Sequence, residues 1–211
     1  MYEKYGQFID GKWHKSSTGE AYEVINPANE EIIGKASKAS SEDVDKALLS
    51  AQKGLEVWKK TPPWQRAYIL RRIADKMREK QDILAKWMTL EVGKPFAEAK
   101  GEVNGAADIY EWNAEETKRI YGQTVESRFE DTRVHVYYQP VGVVAALVPW
   151  NFPLVLSARK ISTALAAGCS VIVKPDVITP GVVMEQVEIC RECGVPPGVV
   201  NLLSGDPPSI A

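Results

Sequence analysis

Three apolar runs in the last third of the chain constrain the fold most. Val141–Val148 is continuously apolar, and Ser170–Val173 and Val199–Leu203 read the same way. Each is the length of a strand, and a strand whose residues do not alternate with polar ones is expected to be covered on both faces. After the first run, the turn Pro149-Trp150-Asn151 leads into a helical stretch that ends near Gly168. After the second, Thr179-Pro180 opens a helix that ends at Gly194. The order β-α-β-α-β with short connections predicts a parallel sheet with right-handed crossovers, half of a doubly wound α/β fold. Ligands of such sheets bind outside the carboxyl ends of the strands. Those ends nominate Pro149-Trp150-Asn151, Lys174-Pro175 and Ser204-Gly205-Asp206.

The preceding residues have a different character. Asp10-Gly11 between Phe8-Ile9 and Lys12-Trp13 predicts a tight hairpin, and Val24–Pro27 and Ile32–Gly34 predict further short extended pieces. Ser40 and Asp43 have capping-box spacing, and Val44, Ala47, Leu48, Ala51, Leu55 and Trp58 follow a 3.6-residue period. Thr61-Pro62-Pro63 breaks that helix. A second helix is expected from about Trp64 to Lys80, with Ile69, Ile73 and Met77 facing inward. Its Arg66, Arg71, Arg72, Lys76 and Arg78 are expected on a solvated face. A third spans Gln81–Val92 and stops at Gly93. A fourth runs from Phe96 to about Ile120, interrupted by Gly101 and Gly105. Residues Thr124–Tyr138 alternate, most cleanly over Arg133–Tyr137, and predict an exposed hairpin around Glu130-Asp131. The resulting division is 1–123 (hairpins and helices), 124–139 (hairpin) and 140–211 (β-α-β-α-β).

Composition excludes several classes. The 211 residues are 45% hydrophobic and 26% charged with a net charge of −2, which points to neither a nucleic-acid nor an anionic-membrane partner. No apolar run reaches the roughly 18 residues of a membrane span, and the N-terminus has no apolar signal region, so a cytosolic location is expected. Three cysteines fit a reducing compartment.

The nominated residues each admit two roles. Asn151 can cap the helix that follows it, or aim a carboxamide N–H at a developing oxyanion. Lys174 can bind a ribose or a phosphate, or simply end a strand in water. Lys160 can help move a proton, or lie on the surface. Cys190-x-x-Cys193 has redox or metal spacing, but a metal site needs about four ligands and only two are offered, so no metal is expected. No G-x-G-x-x-G follows any predicted strand.

Val148-Pro149-Trp150-Asn151-Phe152-Pro153 resembles the oxyanion-hole signature of the aldehyde dehydrogenase superfamily. Phe8–Trp13, Asn26-Pro27-Ala28, Glu91–Pro95, Gln139–Val143, Ala164–Cys169, Val173-Lys174-Pro175 and Pro196–Asn201 follow in family order. The resemblance covers essentially the whole chain and leans towards the semialdehyde dehydrogenases. It implies an α/β, incomplete doubly wound (Rossmann-like) cofactor domain with N-terminal helices and a protruding hairpin. It also implies NAD or NADP as cofactor, a small-molecule aldehyde as substrate, and a homo-oligomer formed through residues 124–139. By resemblance Asn151 is the oxyanion donor, Lys160 a proton-relay lysine and Lys174 the ligand of the adenosine ribose. Leu147, Val148, Pro149 and Trp150 then line the cofactor cleft with Gly205.

Two departures follow. Val177 stands where NAD-preferring members carry a glutamate, so tolerance of a 2′-phosphate is expected to rise; Asp176, one position early, would have to reach around. None of the three cysteines matches the family's nucleophile, whose segment and general-base glutamate are expected beyond Ala211. This chain alone is therefore not expected to turn over. The alternative is a non-catalytic interaction module that pairs through the hairpin with itself or with full-length subunits.

Overall fold

The computed structural model describes residues 2–206. Met1 and 207–211, the last part of the predicted 140–211 segment, lie outside the described residues. The N-terminal hairpin pairs β1 (Gln7–Ile9) with β2 (Lys12–His14). Its turn holds Asp10 at φ 53° and Gly11 at φ 76°, the left-handed pair that a two-residue hairpin requires. β3 (Ala21–Ile25) and β4 (Ile32–Ser37) form a separate antiparallel pair. Four helices follow: α1 (Ser41–Trp58), α2 (Pro63–Glu79), α3 (Gln81–Val92) and α4 (Phe96–Glu116). The predicted capping box of α1 is present in both directions, Ser40 Oγ accepting from the Asp43 N–H and Asp43 from the Ser40 N–H. Gly93 ends α3 at φ 79°.

β5 (Gln123–Glu126) and β6 (Arg133–Val136) make an isolated hairpin exposed along its whole length. The remaining elements are β7 (Val143–Leu147), α5 (Pro153–Ala166), β8 (Ser170–Lys174), α6 (Pro180–Glu192) and β9 (Val200–Leu202). β7, β8 and β9 are parallel, as the β-α-β-α-β order predicts. The N-terminal hairpin then joins them, β1 lying antiparallel to β9 through Phe8 and Leu202, so the sheet reads β2-β1-β9-β8-β7. Alternation along β8 sorts its residues. Val171 and Val173 enter the main core with α5 and α6, whereas Ile172 packs with Ile9, Leu203 and the α1 residues Val44 and Ala47 on the other face.

Three expectations are corrected. Among the described residues β7 pairs with β8 on one side only, and it is not buried on both faces: Leu147 is 56% exposed and within the strand only Ala146 is fully buried, while Val141 ahead of it is 90% exposed. Its apolar edge and α5 flank an open groove lined by Val144, Ala145, Lys160 and Ala164. Helix α4 is not interrupted at Gly101 or Gly105; it runs unbroken to Glu116 and ends in a 3-10 turn, Thr117–Arg119. The basic residues of α2 are not simply solvated. Arg66 is buried and donates to the Thr61 carbonyl at 3.2 Å and to Thr117 Oγ1 at 3.4 Å. Arg71 pairs with Glu115, and Arg78 reaches Asp108 and Glu111, both at 2.7 Å, so these side chains tie α2 to α4.

Candidate functional site

The carboxyl ends of β7 and β8 are locked together. Leu147 is in register with Lys174, and the Val148 N–H donates to the Lys174 carbonyl at 2.9 Å. The Lys160 ammonium, from α5, donates back to the Leu147 carbonyl. The strands thus gather Leu147, Lys160 and Lys174 at one edge, with the turn Pro149–Asn151 rising from it. Pro149 and Asn151 are exposed and Trp150 is half exposed, whereas the Val148 side chain is buried in the core. Gly205 is buried just past β9. The preceding Ser204 is fixed by Gln7, which accepts from its N–H at 2.7 Å and donates to its carbonyl at 3.1 Å.

Lys174 is 9% exposed, and burial lowers the pKa of its ammonium, with Asp176 and Asp206 pulling the other way. Asp176 is already engaged: its Oδ1 accepts from the Ile178 N–H at 3.1 Å, an Asx turn that leads the chain into α6. Beside it the half-buried Val177 offers no acceptor.

The structure overturns the capping reading of Asn151. Phe152 occupies the N-cap position of α5 and makes no side-chain cap. The first-turn N–H groups of Leu154 and Val155 instead donate to Glu102 Oε1, from α4, at 3.0 and 3.2 Å. Among the described residues the Asn151 carboxamide has no hydrogen-bond partner; its backbone carbonyl accepts from Lys94 at 3.4 Å. Helix α6 is treated alike. Thr179 at its N-cap makes no side-chain cap, and its hydroxyl is buried without a partner. The Gly181 and Val182 N–H groups donate to Glu91, from α3, at 2.6 and 3.1 Å. Gly181 is required there, because a Cβ would fall 2.3 Å from the Trp87 ring.

Glu91 and Glu102 were not singled out as candidates in the sequence. The signal was available: each occupies the inward position of a helical period, Glu91 after Leu84, Trp87 and Met88, and Glu102 beside Ala99, Val103 and Ala106. An acid on an apolar helix face needs a buried partner.

These caps decide where a dinucleotide phosphate can lie. In doubly wound folds it sits on the free N–H groups of a crossover-helix N-terminus. Here both crossover helices already have a carboxylate of the same chain in that place, so neither α5 nor α6 is free to hold a phosphate. This agrees with the missing glycine fingerprint. At the carboxyl edge of the strands the structure leaves a buried lysine, Lys174, and the exposed surface of Leu147, Pro149 and Trp150. The cysteines add no nucleophile: burial pushes the Cys190 thiol up to about 12 and also raises that of Cys193, and Cys169 is buried.

Three parallel strands with two crossover helices, an asparagine turn and a buried lysine at their carboxyl edge define a segment of the doubly wound α/β class. The chain belongs to the aldehyde dehydrogenase family, whose model matches residues 13–211. It is 45% identical over 197 residues to the succinate-semialdehyde dehydrogenase [NADP(+)] GabD of Escherichia coli K12, covering 93% of this chain and 41% of that protein. It is 43% identical over 198 residues to the glutarate-semialdehyde dehydrogenase of Pseudomonas aeruginosa, covering 94% of this chain and again 41% of the relative. A crystal structure of an NADP-dependent enzyme from E. coli superposes with a TM-score of 0.96 at 43% identity, covering 97% of this chain and 43% of that one. The chain therefore spans about 41% of the length of the curated relatives it matches.

Proposed function

We propose that this chain supplies the oxyanion donor and part of the cofactor cleft of an NAD(P)+-dependent dehydrogenase that oxidises an aldehyde, of the semialdehyde class, to a carboxylic acid. The observation that carries the reading is the state of Asn151. Glu102 satisfies the N–H groups of α5, which leaves an exposed carboxamide unbonded at the carboxyl end of β7. Its N–H donates to the aldehyde oxygen as that oxygen gains negative charge on nucleophilic attack, which stabilises the transition state more than the neutral carbonyl. Lys174 binds the adenosine ribose, its desolvated ammonium donating to hydroxyl oxygens. Lys160, held at the Leu147 carbonyl, lies at the same edge, where a lysine can pass a proton to solvent. NAD(P)+ supplies the hydride acceptor. The names of the relatives support the semialdehyde class, and the neutral Val177 supports acceptance of NADP+.

The exposed β5–β6 hairpin supports assembly into a homo-oligomer. It presents Val125, Val134 and Val136 to solvent, each more than one-third exposed.

Asn151→Ala tests the central assignment in a polypeptide that carries this segment together with the nucleophilic cysteine. The expected result is a fall in kcat of about 10²–10³-fold with dinucleotide affinity little changed. A kcat within about threefold of the parent would remove Asn151 from the oxyanion site.

A further inference from the structure

The Glu91–Pro95 segment stands out in the sequence, yet the proposed chemistry makes no use of it. The structure places its lysine, together with Glu102, against the Asn151 turn. Lys94 follows the left-handed Gly93 and is only 11% exposed at its side chain; Glu102, farther along α4, is 2% exposed. The two form an ion pair, and each then reaches the turn. Glu102 Oε1 accepts from the N–H groups of Leu154 and Val155. The Lys94 ammonium lies 3.4 Å from the Asn151 carbonyl oxygen and 4.3 Å above the Phe152 ring. Pro153 between them has no N–H to satisfy.

From this geometry we infer that Glu102, ion-paired with Lys94, is a positioning residue for the oxyanion donor. It satisfies the first N–H groups of α5, for which the turn itself supplies no cap, and with Lys94 it fixes the backbone at and just after Asn151. The inference rests on the reading of Asn151 given above. Two physical points favour positioning over stability alone. A helix start can be capped locally by one serine or threonine at the N-cap, whereas here the cap comes from a different helix and brings a buried ion pair with it. A local cap at Phe152 would also put a second polar side chain directly beside the donor. A misplacement of about 1 Å in such a donor can cost on the order of a hundredfold in rate.

The test has two arms. In the 211-residue chain, the backbone amides of Leu154 and Val155 are followed by NMR. Charge-assisted hydrogen bonds predict low-field proton shifts and slow exchange. Glu102→Gln, which keeps an acceptor but loses the charge, is expected to move both signals upfield while exchange stays slow; Glu102→Ala is expected to speed exchange. Signals that respond to neither substitution would overturn the inference. The second arm is a kinetic double-mutant cycle with Asn151→Ala in a polypeptide that also carries the nucleophilic cysteine. Glu102→Ala is expected to lower kcat about tenfold or more with dinucleotide KM little changed, and Glu102→Gln to recover most of that loss. In the Asn151→Ala background the same Glu102 substitutions are expected to change kcat by less than about twofold, because the group they position is gone. An equal loss in both backgrounds would mean that Glu102 acts on stability or elsewhere, and would sink the inference while leaving the Asn151 assignment intact. If Asn151→Ala alone has no effect, the assignment fails first, and the positioning role falls with it. Should Glu102→Ala fail to fold, the NMR arm with Glu102→Gln still decides, since loss of the low-field shifts of Leu154 and Val155 is required of it.

Discussion

Glu91 has no solvent exposure, and it accepts hydrogen bonds from the Tyr2 hydroxyl and the first N–H groups of α6. Burial, which those hydrogen bonds only partly offset, pushes its carboxyl up to about 7 from an ordinary 4.5. The folded protein therefore holds a proton there that the unfolded chain has released, across the window between pH 4.5 and about 7. Stability from this group is present below that window and is lost as pH rises through it. Glu91→Gln cannot titrate. Relative to the parent it is expected to gain on the order of 3 kcal/mol as pH rises from 4.5 to above 7, read from denaturant midpoints at each pH. A constant gap across that range would show that Glu91 does not titrate there. A second prediction at this scale concerns Val177. Asp176 Oδ1 is held in its Asx turn, so the residue beside it is left to determine what the ribose meets. Val177→Glu adds a carboxylate that accepts from a free 2′-hydroxyl and repels a 2′-phosphate. Titration calorimetry is expected to show the Kd for NADP+ rising about tenfold or more relative to that for NAD+; an unchanged ratio would remove Val177 from the ribose site.

At the scale of elements, the β5–β6 hairpin and β7 expose apolar surface in different ways. In the hairpin all eight strand residues are exposed, and the two strands satisfy only each other. A two-stranded ribbon is marginal by itself in water, which supports the proposed packing of the hairpin against another subunit. Replacing both Val134 and Val136 by lysine is expected to shift sedimentation velocity towards the monomer without lowering the melting temperature of the dilute protein by more than a few degrees. A mass unchanged by both lysines would place the oligomer contact elsewhere. In β7 the sequence shows an apolar run without showing how much of it its neighbours cover among the described residues, because a covered strand and an exposed apolar one have the same pattern. The helices were more legible. The capping box of α1, the Pro62-Pro63 break and the Gly93 stop are all written within a few residues of where they act. Gly101 and Gly105 misled because a glycine costs a helix only about 1 kcal/mol, less than the packing of α4 against α2, α3 and α5 supplies.

At the scale of the whole molecule, a main core and a smaller cluster on the other face of the sheet join the helices to it, and they depend on contacts between distant residues. Trp58 donates its indole N–H to the Leu165 carbonyl at 2.9 Å, and Tyr2 reaches Trp87 and Glu91. The N-terminal hairpin completes the sheet beside β9, and its Gln7 fixes the Ser204 backbone next to Gly205. The carboxyl edge that carries Asn151 and Lys174 is thus held by α3 and α4 on one side and by the first residues of the chain on the other.

The sequence by itself determined the local features: hydrophobic period, turn residues, helix stops, the β-α-β-α-β order and the ordered motifs of the family. Each depends on neighbours within a turn or two, where sterics and backbone hydrogen bonding act directly. Only the tertiary structure decided which groups cap α5 and α6, that Asn151 is released from capping, and that Arg66 is buried. Those outcomes depend on which distant side chain reaches a given N–H first. A pattern of apolar and polar residues says that a glutamate will be buried without saying which helix end it will meet.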